Sequence, residues 1–308
     1  MKDFYCPEGS LISTEENKKY LTSVTALQQA QSFEIILEAM VTMCDAEHNL
    51  IVDLGCMKGL IPREEGAIGI REGTTRDIAL ISRVGRAVSF VVTGFSVDDS
   101  GKEYAILSRR AAQKKCIEYI LSEKKIGDIV NACVTHLETF GAFCDIGCGN
   151  IALLPIDSIS VSRISHPSDR FVVGDCIKAI IKKIDNDNKI TLSHKELLGT
   201  WQENAAKFSQ GETVSGIVRS IEDYGVFIEL TPNLAGLAEP KENVKVGQCA
   251  SVYIKSIIPE KMKIKLIIID NFDNNCDYTY DYFYTGEHIE EFVYSPPDSI
   301  KQLRTYFD

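Results

Sequence analysis

The sequence predicts a mainly β protein: three small closed barrels of about five short strands each, in tandem and joined by short α-helices. Three observations carry that expectation. Two stretches, THLETFGAFCDIG at 135–147 and RSIEDYGVFIELT at 219–231, place an aromatic, a Gly, a small residue, a Phe and an acid in the same order, and each opens a unit with the same later parts. The strands are short, rich in β-branched residues and separated by turn signals such as DNDN, which favours small barrels over helical domains. Between the units the apolar spacing turns helical.

Taken in order, residues 1–33 form an N-terminal segment whose start, MKDFYCPEG, lacks the basic-then-apolar order of a signal peptide. Unit 34–110 runs through EAMVTMCDAEHNLIVDLG, GLIPREE, VGRAVSFVVTGF and YAILSRR and is the faintest copy. In connector 111–125, Cys116, Ile117, Ile120 and Leu121 share a helix face. Unit 126–195 passes from GDIVNACVTHLETFGAFCDIG through LLPIDSIS to GDCIKAIIKKIDNDNKITLSHK. For connector 196–209, the run 195–208 reads as one helix with Leu197, Leu198, Trp201, Ala205 and Phe208 on a single face, and helix-face aromatics usually pack, so Trp201 is expected in the core. Unit 210–270 repeats the plan with GETVSGIVRSIEDYGVFIELT, LAGLAEP and GQCASVYIKSIIPEKMKIKLIIID. In tail 271–308, Tyr278, Tyr280, Tyr282 and Tyr284 alternate as on one strand face, with Thr285-Gly286 turning the chain toward Phe292 and Tyr294. That hairpin is expected to pack on the third barrel; the alternative is that the acidic, aromatic segment covers Tyr224 and Phe227 in imitation of an anionic ligand.

Strand parity assigns faces to the repeated motif, because side chains alternate along a strand. Ala142, Cys144 and Ile146 share one face, and Phe143 and Asp145 the other. In the second copy Val226, Ile228 and Leu230 lie together while Phe227 keeps company with Glu229. The acid is read as marking the wet face, which sets a large ring toward solvent twice, with Phe140 or Tyr224 one Gly upstream to widen the patch.

Charge and composition narrow the function classes. The net charge of −11 is concentrated at the end: residues 271–308 hold eight acids and two bases, whereas 126–195 and 210–270 each hold seven Lys or Arg against eight acids. With no polybasic patch, binding carried by stacking suits the chain better than binding carried by phosphate charge. No run reaches the ~20 apolar residues of a membrane span, so a cytoplasmic location is expected. The ten Cys contain no C-x-x-C pair, and thiols without metal are expected; the closest pair is Cys144 and Cys148. GCGNIA at 147–152 imitates a dinucleotide fingerprint, but Pro155 and the polar loop after it prevent the helix that would hold a pyrophosphate. No metalloprotease, phosphate-loop or nucleophile-elbow motif is present and the five His are dispersed, so neither catalysis nor a cofactor is expected.

The order G-x-x-V, F-G-x-F, an acid, L-L-P, K-x-I-D, a base four residues on and I-x-L-S-x-K resembles the S-one RNA-binding domain, specifically in the second unit, well in the third and faintly in the first. The whole chain resembles the S-one-like proteins of Gram-positive bacteria. The resemblance implies five-stranded oligonucleotide-binding (OB-fold) barrels whose aromatics, His, Asp and base face single-stranded RNA. Position by position, it implies Phe140, Phe143, Asp185 and Lys189 in the second unit, with Pro155 where the His belongs. In the third it implies Tyr224, Phe227 and Lys263, with Pro259 in place of the Asp. In the first, His48 and Ile51 occupy the ring positions and Tyr104 that of the base, so a structural or docking role is expected there. The implied activity is non-enzymatic binding of single-stranded RNA, such as mRNA, in translation, with the small ribosomal subunit as a possible partner. A scaffold that binds proteins, or an RNA-binding regulator away from the ribosome, is the alternative.

Overall fold

The computed structural model describes residues 5–273 and 280–307. Three closed five-stranded barrels follow one another. The first consists of β1 (Leu37–Cys44), β2 (Leu50–Asp53), β3 (Lys58–Ile61), β4 (Ala87–Val97) and β5 (Glu103–Ser108), closed in the order β1-β2-β3-β5-β4. The second has β6 (Ile129–Glu138), β7 (Gly141–Asp145), β8 (Ile151–Pro155), β9 (Cys176–Ile184) and β10 (Ile190–Ser193); the third has β11 (Thr213–Glu222), β12 (Gly225–Thr231), β13 (Leu234–Ala238), β14 (Cys249–Ile258) and β15 (Lys263–Phe272). Both close in the same cyclic order as the first, with the third and fifth strands of each parallel. Closure removes strand edges, and this plan is that of an oligonucleotide-binding barrel.

The alternation of apolar residues builds each core. In β15, Ile264, Leu266 and Ile268 are buried while Lys263, Lys265 and Ile267 are exposed. The glycine between the two rings of the repeated motif has a packing reason. A Cβ at Gly141 would stand 2.5 Å from the Leu154 carbonyl oxygen, and one at Gly225 2.5 Å from that of Ala238. In both copies the neighbouring strand comes too close for any side chain.

The chain divides into two compact units. The first holds residues through Lys125 together with Asn131–Cys133 and Cys144–Ala152. Helices α1 (Glu15–Leu21) and α2 (Val24–Ser32) begin on Thr14 and Ser23, whose hydroxyls accept from the third backbone N–H of the helix, and Leu27 and Ala30 enter the first barrel's core. A four-residue helix, α3 (Ile78–Ile81), precedes β4, and α4 (Arg109–Glu123) follows β5, burying Cys116 and Ile120.

The second unit holds the remaining residues from Ile126 on. Its connector is not one continuous helix. A 3-10 turn, Lys195–Leu198, stops at Gly199, which has φ +84°, and α5 (Trp201–Ala205) starts afresh on a Thr200–Glu203 capping box. Trp201 is 2% exposed and packs in the third barrel's core.

The tail differs from expectation. Tyr278 lies outside the described residues, and Tyr280–Tyr284 form no strand. The strand pair is instead β16 (Glu291–Val293) with β17 (Arg304–Tyr306). Much of the tail docks on the second barrel. Ile289 N–H donates to Gly127 O, and Ile129 N–H to Glu287 O, both at 2.9 Å. Phe307 and Ile289 pack with Ile180 and Leu197. The expected packing on the third barrel holds in part: Tyr294 enters its cluster, with Phe292 and Leu303 packed against it, and the Tyr294 carbonyl accepts from Trp201 N–H. Tyr224 stays 67% exposed, so the described part of the tail is not folded over that ring as an imitation of RNA. The apolar content of these aromatics decides the outcome: burying them against barrel walls outweighs leaving them as a mimic in water. Cys249 is disulfide-bonded, against the expectation of thiols throughout.

Candidate nucleic-acid interface

The candidate interface lies on the ring-bearing faces of the second and third barrels, within the second unit. At the start of β7 Gly141 separates Phe140 from Phe143; Ala142 behind them is fully buried, whereas Phe140 is 54% exposed. The two ring centroids are 6.0 Å apart with perpendicular planes. At the start of β12 the pattern repeats: Val226 and Ile228 fill the core, and Tyr224 and Phe227 meet at 6.1 Å and 89°. Two edge-to-face pairs are thus held in one geometry, each with its first ring, Phe140 or Tyr224, more than half exposed.

A third ring was missed by the sequence reading. His136 on β6 stacks on Phe143 at 6.2 Å and 27°, and its Nε2 meets Glu138 at 2.7 Å. Only the pairing of β6 with β7 sets it there; the signal in the sequence is its position in THLETF, where the other copy has Ser220.

Asp185 and Lys189 sit together at the β9–β10 hairpin. Asp185 Oδ1 accepts from the backbone N–H of Asp187 at 3.0 Å and of Lys189 at 2.8 Å, a turn-forming use of the side chain. Lys189 Nζ lies 3.7 Å from Asp187, with both side chains more than three-quarters exposed. Lys263 is exposed on β15, and so is Lys265, which the sequence reading did not single out. The register places Lys265 in one row with Leu237 and Phe227, since Leu237 pairs with both.

The acids that follow the rings do not mark a wet face; both are buried. Asp145, 3% exposed, accepts from Glu8 N–H at 2.7 Å and from Gly147 and Gly149 N–H at 2.8 and 3.0 Å, all within the first unit. Glu8 in turn binds the buried Arg109 through Nε and Nη2 at 2.6 and 2.9 Å. Burial and the neighbouring Glu8 carboxylate push the Asp145 carboxyl above its usual range. This packing also accounts for the fingerprint-like GCGNIA: a Cβ at Gly149 would stand 2.1 Å from Arg109 Nη2, so the glycine admits an arginine, not a pyrophosphate.

Glu229, fully buried, accepts from Arg170 of the second barrel's loop and from Arg219 Nε at 3.0 Å; Arg219 also lies 3.7 Å from Asp169. Arg219 occupies a bulge in β11, where the register to β12 shifts between Val218 and Ser220. At the matching place in the other barrels a threonine hydroxyl satisfies a strand carbonyl, Thr42 to Ile51 and Thr135 to Phe143. The bulge in the third barrel aims a guanidinium at Glu229 instead. The acid has therefore become an ion-paired clasp between two barrels.

In the first barrel the corresponding positions carry no ring pair. His48 lies 3.7 Å from Asp77, and Ile51, Lys58 and Tyr104 line a small cavity of about 290 Å³. Among the described residues no cluster of His, Cys, Asp and Glu could hold a metal ion, and no helix is long and apolar enough to cross a membrane.

The chain is similar to several known proteins. The family described as S1 RNA binding domain, written S-one above, matches residues 123–195. Similar along most of the chain are proteins named small ribosomal subunit protein bS1 from Leuconostoc lactis, 27% identical over 84% of this chain and 63% of theirs, and from Staphylococcus saprophyticus, 28% over 82% and 69%. A bS1 homolog from Bacillus subtilis is 30% identical over 73% and 57%. The chain thus spans roughly two thirds or less of the length of these relatives. A solved multidomain protein with nucleic acid binding domains from Streptococcus pneumoniae matches 77% of this chain and 74% of its own at 14% identity, with a TM-score of 0.25. Residues 123–195, the second barrel, thus match the S1 RNA binding domain, and the chain is similar to bS1 proteins along most of its length.

Proposed function

We propose that the protein binds single-stranded RNA, mRNA included, by stacking bases on the ring pairs Phe140–Phe143 and Tyr224–Phe227, and that it acts without catalysis in translation, in the cytoplasm, at the small ribosomal subunit. The observation that carries this reading is the recurrence of one perpendicular ring pair, its first ring exposed and its second half-buried, at 6.0 and 6.1 Å on two barrels of the same topology. Aromatic faces accept any base, which gives affinity with little sequence preference. Lys189, Lys263 and Lys265 supply phosphate contacts, and Asp185 shapes the hairpin that presents Lys189. Barrels 126–195 and 210–270 are the binding modules. Barrel 34–110, which lacks a ring pair, serves as a structural or docking module.

Crosslinking the protein to RNA in cells and sequencing the attached fragments tests this reading. Crosslinks to mRNA that vanish when both ring pairs are replaced by Ala support it. Abundant protein crosslinks with no RNA dependence on the rings would instead identify a scaffold.

A further inference from the structure

The third barrel's rings do not stand on an open wall. Loop residues 161–165 of the second barrel face them across a cavity of about 540 Å³ whose lining includes Ser162, Arg163, Ile164, Arg219, Tyr224 and Phe227. That volume falls in the range of small-ligand sites and accommodates one nucleotide. The loop is held there by several independent ties. Arg170 engages Glu229 and Arg219 lies 3.7 Å from Asp169; Ser162 N–H donates to Pro232 O at 3.2 Å; Val161 N–H donates to Asn233 Oδ1 at 3.0 Å. Asn233 in turn donates to the carbonyls of Lys195 and Gly199 at 2.7 and 2.9 Å. The wall is built before any ligand arrives.

Two groups on this wall remain for a ligand. Arg163 is exposed and, among the described residues, forms no ion pair. Ser162 is 7% exposed, and its hydroxyl has no hydrogen-bond partner among the described residues. A buried hydroxyl without a partner costs free energy that a ligand oxygen can recover. Arg219, by contrast, is committed to the clasp.

We infer that loop 161–165 and the Tyr224–Phe227 pair form one composite pocket for a single nucleotide of an RNA strand, in which Arg163 contacts the phosphate of the nucleotide whose base lies on the rings. The inference rests on the stacking reading above and adds to it a residue of the second barrel that determines binding at the third. Arginine suits the task because its planar fork donates two parallel hydrogen bonds to phosphate.

The test uses the full chain and a ten-nucleotide oligouridylate in fluorescence anisotropy titrations at several salt concentrations. Arg163→Ala is expected to weaken binding about fivefold to tenfold and to lower the salt slope by about 0.7, one phosphate on a single strand, with the melting temperature unchanged. Arg163→Lys keeps the slope. In double-mutant cycles Arg163→Ala couples to Tyr224→Ala, because both shape one pocket, and combines independently with Phe140→Ala. Parental affinity and slope in Arg163→Ala, or a loss that multiplies independently with that of Tyr224→Ala, would overturn the pocket while leaving stacking intact. If neither Tyr224→Ala nor Phe140→Ala weakens binding, the stacking reading fails and the pocket falls with it.

Discussion

Arg170→Ala breaks the clasp at its most buried point. Both side chains of the Arg170–Glu229 pair are fully buried, and removing one partner of such a pair costs about 3–5 kcal/mol because the other charge is left without compensation. Arg219 still reaches Glu229 at 3.0 Å, which sets the expectation at the lower end, about 3 kcal/mol. For a domain of 150–250 residues each kcal/mol moves the melting temperature by about 2–4 °C, so the second unit should melt about 6–12 °C lower. Differential scanning calorimetry of the full chain reads this directly, with circular dichroism at 25 °C confirming that the barrels remain folded. Oligouridylate binding supplies the second readout. Losing the loop wall should weaken binding, and the double variant Arg170→Ala with Tyr224→Ala should bind no worse than Tyr224→Ala alone. A melting temperature within 1–2 °C of the parent would show that the pair is worth no more than a solvated surface bridge, and the account of a preformed wall would be refuted.

Phe143→Ala and Phe227→Ala should each weaken RNA binding by about 1–3 kcal/mol with an unchanged salt slope; unfolding of either barrel would show that the ring is part of its core. Lys189→Ala should lower the slope by about 0.7 with little effect on stability, checked by the same titrations. Phe307→Ala should destabilise the second unit by about 3–5 kcal/mol, because the ring is buried against Ile180 and Leu197; urea unfolding that leaves the second unit unmoved would mean that the tail docks there without consequence. The two units should respond to acid in opposite senses. Burial holds the His194 imidazole down at about 4, so the unfolded chain binds a proton between roughly pH 4 and 6.5 that the folded unit refuses, and the second unit loses stability as pH falls through that window. Asp145 in the first unit is shifted upward by burial, so there the folded state holds the proton and stability falls as pH rises above the ordinary carboxylate range. Melting curves from pH 4 to 8 should show both trends, flattened by His194→Gln and Asp145→Asn respectively.

The barrels were legible because their signal is local. Alternation in GVFIEL or KIKLII and turn residues at DNDN need no distant partner to be read, and the family order of motifs fixes five strands per unit. The ring pairs were nameable for the same reason. What parity could not give is what covers an outer face. Asp145 and Glu229 stand on the side away from the core, as read, yet neither meets water, because Glu8, 137 residues earlier, and Arg170, 59 residues earlier, close over them. His136 and Arg163 escaped for a related reason: one acts through a strand pairing, the other across two barrels. One clue was present in the repeat itself. Thr135 and Arg219 occupy the same place in the two copies, and a long cation where its counterpart has a small hydroxyl marks a changed contact. The misplaced hairpin has another cause: a run of alternating tyrosines is as well satisfied by docking on a finished barrel as by pairing with itself.

Arg219 belongs both to the clasp and to the cavity wall, and this double membership makes barrel docking and ligand binding a single thermodynamic cycle. Whatever free energy a bound nucleotide draws from the correct placement of the wall must be returned as added resistance of the clasp to opening, by the same factor. In the proposed complex the RNA strand is a splint across the joint between two barrels, and tension that pries the barrels apart becomes a way of making the protein let go.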